Sequence, residues 1–336
     1  MTSMVGVDEA MGADSPSPTG ETMNKQEFIK AALETYPDLT DSISRQRVLA
    51  IMAKYNLKDP HLEKIGRGMF AFPKNTSVPV VQESDEDIEA RIKDTYESME
   101  SLVESVSANV VNSLIISGAP GIGKSHTVDK VLREVNGGSE YNFISHKGYL
   151  RASHLFRMLW ENRYKGMTIV IDDCDSIFSD ETAMNILKAA LELKPVRRIG
   201  WGSEKEFTDE DGETIPRYFD YEGSIIFLTN KDIRGEIAAN NKNATHLSAL
   251  ESRSLLLDMK IRTKREYLIK IKQTIKAGML QIQGFNIDDE AEIMEFVEDN
   301  QDNLSELSLR MVEKIAALYR SNPSNWKKLV RAVCFK

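Results

Sequence analysis

Gly118-Ala119-Pro120-Gly121-Ile122-Gly123-Lys124-Ser125 is a complete G-x-x-x-x-G-K-S/T phosphate-binding loop. The apolar run from Val110 to Ser117 before it predicts a buried strand. The stretch Ser125 to Glu134 after it, polar and apolar at helical spacing without Pro or Gly, predicts a helix. Strand, loop and helix form the context that this motif requires. Gly118, Gly121 and Gly123 let the backbone fold tightly enough to turn its N–H groups toward phosphate oxygens. The positive end of the following helix faces the same anion. Lys124 supplies a point charge for the outer phosphates, and the Ser125 hydroxyl suits a magnesium shell. Residues Gly118 to Ser125, with His126 directly after them, are the expected contacts of a nucleoside triphosphate.

The rest of the composition is that of an ordinary globular chain. Its 336 residues are 41% hydrophobic and 28% charged, enough for two or three units with a sizeable core. No apolar stretch approaches the ~20 residues that span a bilayer, and the N-terminus lacks a signal-peptide core. Two cysteines make no disulfide framework, so a reducing compartment, the cytoplasm, is expected. The five histidines show no metal-ligand spacing, which leaves magnesium as the metal implied. A net charge of −9 argues against wholesale coating of nucleic acid but leaves room for a local basic patch.

Residues 1–23 are rich in Ser, Pro, Gly, Thr and acids and read as a disordered tail. Residues 24–75 read as a small module. Lys25–Tyr36 has an amphipathic helical pattern, Asp41 or Ser42 is placed to cap a second helix, and Lys64 to Pro73 alternates around Gly66 and Gly68 like a short hairpin. Helices followed by a glycine-containing hairpin resemble a winged-helix module. Arg45, Arg47, Lys54, Lys58, Lys64, Arg67 and Lys74 make this stretch basic inside an acidic chain, which points to DNA or RNA; a protein-docking domain with solvated charges is the alternative. Residues 76–107 read as a linker and an acidic helix whose charge run is a solvated face.

A second motif, Met167-Thr168-Ile169-Val170-Ile171-Asp172-Asp173, describes a buried parallel strand that delivers acids at its C-terminal edge. Beside the phosphate loop, Asp172 is placed to hold magnesium and Asp173 to orient the attacking water. With these two motifs in order the chain resembles an AAA+ ATPase from about Val110 to the C-terminus. The resemblance implies an α/β fold: a three-layer P-loop AAA+ domain with a parallel sheet at 108–260, a C-terminal helical lid at 261–336, and the small N-terminal helical or winged-helix-like module. It implies ATP hydrolysis with Mg2+. Most members of the superfamily carry Glu where this chain has Asp173, so the resemblance leaves slow hydrolysis open.

Further positions follow from the same resemblance. Ser224 to Asn230 is similar to the strand carrying a polar sensor, which would be Asn230 or else Thr229. Leu247 to Ser254 resembles the segment that places an arginine finger, here Arg253, in a neighbour's active site; the alternative is surface pairing with Glu251 or Asp258. A finger supplied in trans implies a homo-oligomer, a ring or helix with ATP at its interfaces. Arg310, opening a lid helix, resembles a second sensor. Lys147-Gly148-Tyr149-Leu150 falls where AAA+ rings carry a pore loop, although Tyr149 also reads as a core residue. Arg197-Arg198 and Arg217 flank an acidic tip in what reads as an inserted hairpin, whose arginines are placed to reach phosphates; the alternative is that Trp201, Tyr218 and Phe219 only hold the insert against the core. Lys147, Tyr149, Arg197, Arg198 and Arg217 are the candidate polymer contacts.

The motif order and the insert look similar to phage-encoded AAA+ ATPases, which would place the protein in a host cytoplasm. The leading expectation is an ATP-hydrolysing motor on nucleic acid, such as a helicase, helicase loader or replication accessory factor. A protein-remodelling motor and an ATP-dependent assembly switch are the alternatives. Itself and DNA are the expected partners, with a replication or remodelling protein as a further one and no membrane.

Overall fold

The computed structural model describes residues 20–36, 39, 42–72, 83–202 and 206–336. Of the expected tail at 1–23, residues 1–19 lie outside the described residues and 20–23 belong instead to a helix; the start of the expected linker at 76–82, and Asp41, Pro73 and Lys74, also lie outside the described residues. The chain divides into two compact units, Met1–Gln82 and Glu83–Lys336.

In the first unit, α1 (Gly20–Thr35) is followed by β1 (Ser42–Ser44), α2 (Arg45–Tyr55), β2 (Lys64–Gly66) and β3 (Met69–Ala71). The second helix starts later than the sequence suggested. Ser42–Ser44 pairs antiparallel with β3, so the cap falls to Ser44, whose hydroxyl accepts from the Arg47 N–H at 3.4 Å. The sheet runs β1-β3-β2 and turns through Gly68 at φ +78°, a conformation that favours glycine. Phe28, Ile29, Ala32, Ile43, Val48, Ile51 and Phe72 form its core. Arg45, Lys54, Lys58, Lys64 and Arg67 are exposed around it.

The second unit begins with α3 (Asp85–Ser107), followed by β4 (Ser113–Ser117), α4 (Lys124–Val135), β5 (Phe143–Lys147), α5 (Ala152–Glu161), β6 (Thr168–Asp172) and α6 (Glu181–Ala190). An insert of β7 (Arg197–Gly200), β8 (Phe207–Thr208), β9 (Thr214–Ile215) and β10 (Tyr218–Tyr221) precedes β11 (Ser224–Thr229), α7 (Ile233–Ala238), α8 (Ala244–Glu251) and β12 (Leu255–Asp258). The five strands β12-β4-β11-β6-β5 form one parallel sheet. Successive residues of each strand point to opposite faces. Ile115, Ile169, Ile171 and Phe227 accordingly pack with α5, α6 and α8, whereas Leu114, Ile116, Val170 and Leu228 pack with α3 and α4. These are the three layers that the sequence implied.

The strand before the phosphate loop starts at Ser113 rather than Val110. The N–H groups of Val110 and Val111 are drawn to the Ser105 carbonyl at the end of α3, at 3.0 and 3.2 Å, which leaves Val110 exposed. Helix α3 itself belongs to the nucleotide-domain unit: its face of Ile88, Ile92, Tyr96, Met99, Val103 and Val106 is buried, while its acids face outward. The lid comprises α9 (Lys264–Lys276), α10 (Ile287–Asp299), α11 (Leu309–Ser321) and α12 (Trp326–Val333) around its own core of Ile271, Phe296, Val312, Ile315 and Trp326. Among the described residues no helix is long and apolar enough to cross a membrane.

Candidate functional site

In a parallel sheet of this kind ligands meet the C-terminal strand ends. Four of those ends carry the candidate residues. The loop after β4 turns through Gly121 and Gly123 at φ +72° and +97° and enters α4 at Lys124. A Cβ on Gly118 would stand 2.9 Å from the Met259 Cβ, so only glycine lets the loop lie against the chain after β12. Lys124 is nearly buried. Its Nζ donates to the Gly118 carbonyl at 2.6 Å, the Ala119 carbonyl at 2.9 Å and Asn230 Oδ1 at 2.9 Å. Its pKa is lowered to about 8, by burial above all and with a small push from Arg310, against the opposing carboxylates of Asp173, Asp172 and Asp175. Pro120 is exposed at the loop tip and Ile122 is packed into the core.

Asp172 ends β6 with its side chain almost fully covered. Asp173 follows, exposed and in the left-handed region at φ +52°, uncommon for a residue other than glycine and a form of strain that tends to accompany functional sites. Asn230 stands one residue after β11 and bridges two candidates: its Oδ1 accepts from Lys124 and its Nδ2 donates to Asp173 Oδ1 at 2.8 Å. Thr229 is turned away, donating to Asp175 Oδ1 at 2.6 Å, so the geometry favours Asn230 of the two sensor candidates. Ser125, the exposed His126 and Asp172 line one cavity of about 410 Å3. A hydroxyl and a carboxylate facing the same space are hard oxygen donors of the type magnesium takes, so these residues fit that ion.

The lid closes over the loop. Ser308 caps α11, accepting from the Met311 N–H at 3.1 Å, and the Leu309 N–H donates to the Gly121 carbonyl at 2.8 Å. The contact is tight enough that a Cβ on Gly121 would come within 2.7 Å of the Ser308 Cβ. Arg310 is exposed on the first turn of this helix, beside the loop.

One contact escaped the sequence reading. Tyr96 of α3, buried, donates its hydroxyl to the Ile122 carbonyl of the loop at 2.5 Å, and the Lys270 ammonium of α9 lies 3.2 Å from the centre of its ring. The signal was the spacing Ile88, Ile92, Tyr96, Met99, which marks a buried face beneath the acidic one. Tyr96→Phe leaves that carbonyl without its partner, a loss of about 1–2 kcal/mol. The thermal midpoint of the full chain should therefore fall by about 2–4 °C in calorimetry. An unchanged midpoint would mean that the bond adds nothing.

Arg253 lies elsewhere. It precedes β12, whose Leu255 pairs with Leu114, and therefore sits at the edge of the sheet opposite the loop. Its Nη1 donates to the Ala249 carbonyl at 2.9 Å, and Nη2 lies 3.9 Å from Glu192, rather than pairing with Glu251 or Asp258.

One candidate polymer contact needs correction. Arg197 is 2% exposed: its guanidinium donates to the carbonyls of Tyr221 (3.1 Å) and Gly223 (2.6 Å) and stacks on the Tyr221 ring, clasping the base of the insert. Lys147 turns its ammonium toward Asp172 Oδ2, at 3.0 Å. Tyr149 is 69% exposed, which removes the core reading, and Arg198 and Arg217 are exposed on the insert. Phe219 is buried and Trp201 packs tilted against Phe156 and edge-on against Phe207, so these two hold the insert to the domain, while Tyr218 is exposed.

No protein-family model matches the chain. It is 32% identical over 269 residues to an uncharacterized 36.7 kDa protein from the nrdC-mobD intergenic region of Enterobacteria phage T4, an alignment spanning 78% of this chain and 82% of that one. Among solved structures it is similar to the P216G mutant of RuvB from Thermotoga maritima (TM-score 0.39, 74% of this chain and 70% of that one) and to a DNA replication initiation factor (0.40, 75% and 68%). It is also similar to NtrX from Brucella abortus in complex with ATP (0.39, 71% and 52%). All three are 14% identical and loose likenesses in shape.

Proposed function

Because the chain belongs to the family of this phage T4 protein and its second unit carries a complete phosphate loop at the C-terminal edge of a parallel sheet, we propose that it is an AAA+ ATPase that hydrolyses the β–γ bond of ATP and applies the energy to nucleic acid. The observation that carries the reading is the chain of contacts Lys124–Asn230–Asp173 at one sheet edge, with the lid seated on the same loop. Magnesium held by Ser125 and Asp172 would neutralise charge on the β- and γ-phosphates. The loop amides and Lys124 bind the phosphates, exchanging the Gly118 and Ala119 carbonyls for phosphate oxygens. Asn230 holds Asp173 in its left-handed pose, so that the carboxylate accepts a proton from the attacking water. Arg310 bridges lid and phosphates, and loss of the γ-phosphate releases it; lid rotation is the mechanical output.

For nucleic acid, the support is the exposed Lys64 and Arg67 on the hairpin of the first unit, with Arg45, Lys54 and Lys58 on the same small unit. The test is the steady-state ATPase rate without polymer, with single-stranded DNA and with duplex DNA, each at low and moderate salt, using Lys124→Ala as the blank. The expected result is stimulation by DNA that weakens with salt and is lost in Lys64→Glu/Arg67→Glu. A robust rate indifferent to DNA would overturn the nucleic-acid reading.

That outcome would favour a protein-remodelling motor, for which the exposed Tyr149 is the specific support. Turnover of a protein substrate would then fail in Tyr149→Ala. We further propose a homo-oligomer, and a host cytoplasm in keeping with the phage relative.

A further inference from the structure

Strands β5 and β6 pair in parallel with Lys147 opposite Asp172, so both side chains emerge next to each other at the C-terminal edge of the sheet. The Lys147 Nζ lies 3.0 Å from Asp172 Oδ2. The two partners differ in freedom: the Asp172 side chain is 6% exposed, that of Lys147 64%. The main chain beside them is tied down, because the Gly148 N–H donates to the Asp172 carbonyl at 3.3 Å. Both residues line the cavity that also holds Ser125 and His126. Among the described residues no other cation lies within ion-pair distance of this carboxylate.

We propose that Lys147 is a displaceable counter-ion of the metal site, a positioning residue that competes with the divalent cation for Asp172 and sets the concentration at which the metal–triphosphate loads. The inference rests on the assignment of Asp172 as a magnesium ligand made above. A divalent cation and an ammonium on the same carboxylate repel each other across a few ångströms, in a place where water screens only one of them. The buried carboxylate is fixed, and the exposed ammonium on its four-carbon stem is the group able to swing away. Lys147 therefore opposes metal loading while keeping the carboxylate neutralised without it.

The experiment is a Mn2+ titration of the full chain followed by electron paramagnetic resonance, with a non-hydrolysable ATP analogue present. Lys147→Met removes the charge and keeps the length, and the exposure of the side chain makes it a safe substitution for folding. It should load at about fivefold lower Mn2+, the size expected of a partly exposed ion pair. Lys147→Arg, which keeps the charge, should load like the parent protein. Asp172→Asn separates the two assignments. If it weakens loading while Lys147→Met matches the parent, the counter-ion role is overturned and the metal site stands. If Lys147→Met loads more weakly than the parent, the residue assists the metal and the proposal is overturned. If Asp172→Asn loads like the parent, both assignments fail together.

Discussion

Replacing Lys124 with Met should abolish measurable ATP binding while leaving the fold intact. The ammonium is positioned for charge-assisted bonds to the outer phosphates, and losing it costs about 3 kcal/mol, more than about a hundredfold in affinity. The fold should survive for a reason visible in the structure. Burial has already pulled the Lys124 pKa down to about 8, so the charged side chain sits where it is poorly solvated. A Met of similar length removes that burden, while the Gly118 and Ala119 carbonyls lose only their ammonium donor. Equilibrium binding of a fluorescent ATP analogue, read beside the thermal midpoint, makes the distinction. Undiminished binding in Lys124→Met would sink the loop as the phosphate site. A collapse of the midpoint would mean that the lysine serves the fold.

The residues that were legible in the sequence share one property: each belongs to a short contiguous motif. The glycines of the loop and Lys124 announce themselves because strand, turn and helix must follow one another within a dozen residues, and Asp172 because an apolar strand ends in its carboxylate. The residues that were missed or misplaced act across the chain. Lys147 reads as a loop residue until β5 is paired with β6, and only the register puts it on Asp172. Arg197 looks like a basic surface residue beside Arg198, yet alternation along β7 sends the first inward and the second out. Tyr96 is separated by 26 residues from the carbonyl it satisfies, and its helix was read by its charges rather than by its apolar face. The choice between Thr229 and Asn230 turned on side-chain direction, since the two are adjacent and both polar.

The second large effect is expected at Arg253. If it is the finger of a neighbouring subunit, Arg253→Ala should lower kcat by about a thousandfold with ATP affinity nearly unchanged. The fold argues that it cannot serve its own site. Arg253 lies beyond the start of β12, and the phosphate loop follows the far end of β4. The strand between them is five residues long, roughly 15 Å at the usual rise. The surroundings of Arg253 are open to a neighbour: the exposed Val110 (78%), Leu193 (75%) and Leu255 (45%) line the same cavity as the arginine. A mixing experiment separates this from a local structural role. Arg253→Ala keeps an intact loop, and Lys124→Met keeps an intact arginine, so each is inactive alone. In a head-to-tail assembly, roughly a quarter of the interfaces of an equal mixture join the intact loop of one subunit to the intact arginine of the next. ATPase activity should therefore appear on mixing. A mixture as inactive as its components would overturn the arrangement in trans, because a residue that merely supports its own subunit cannot be supplied by another.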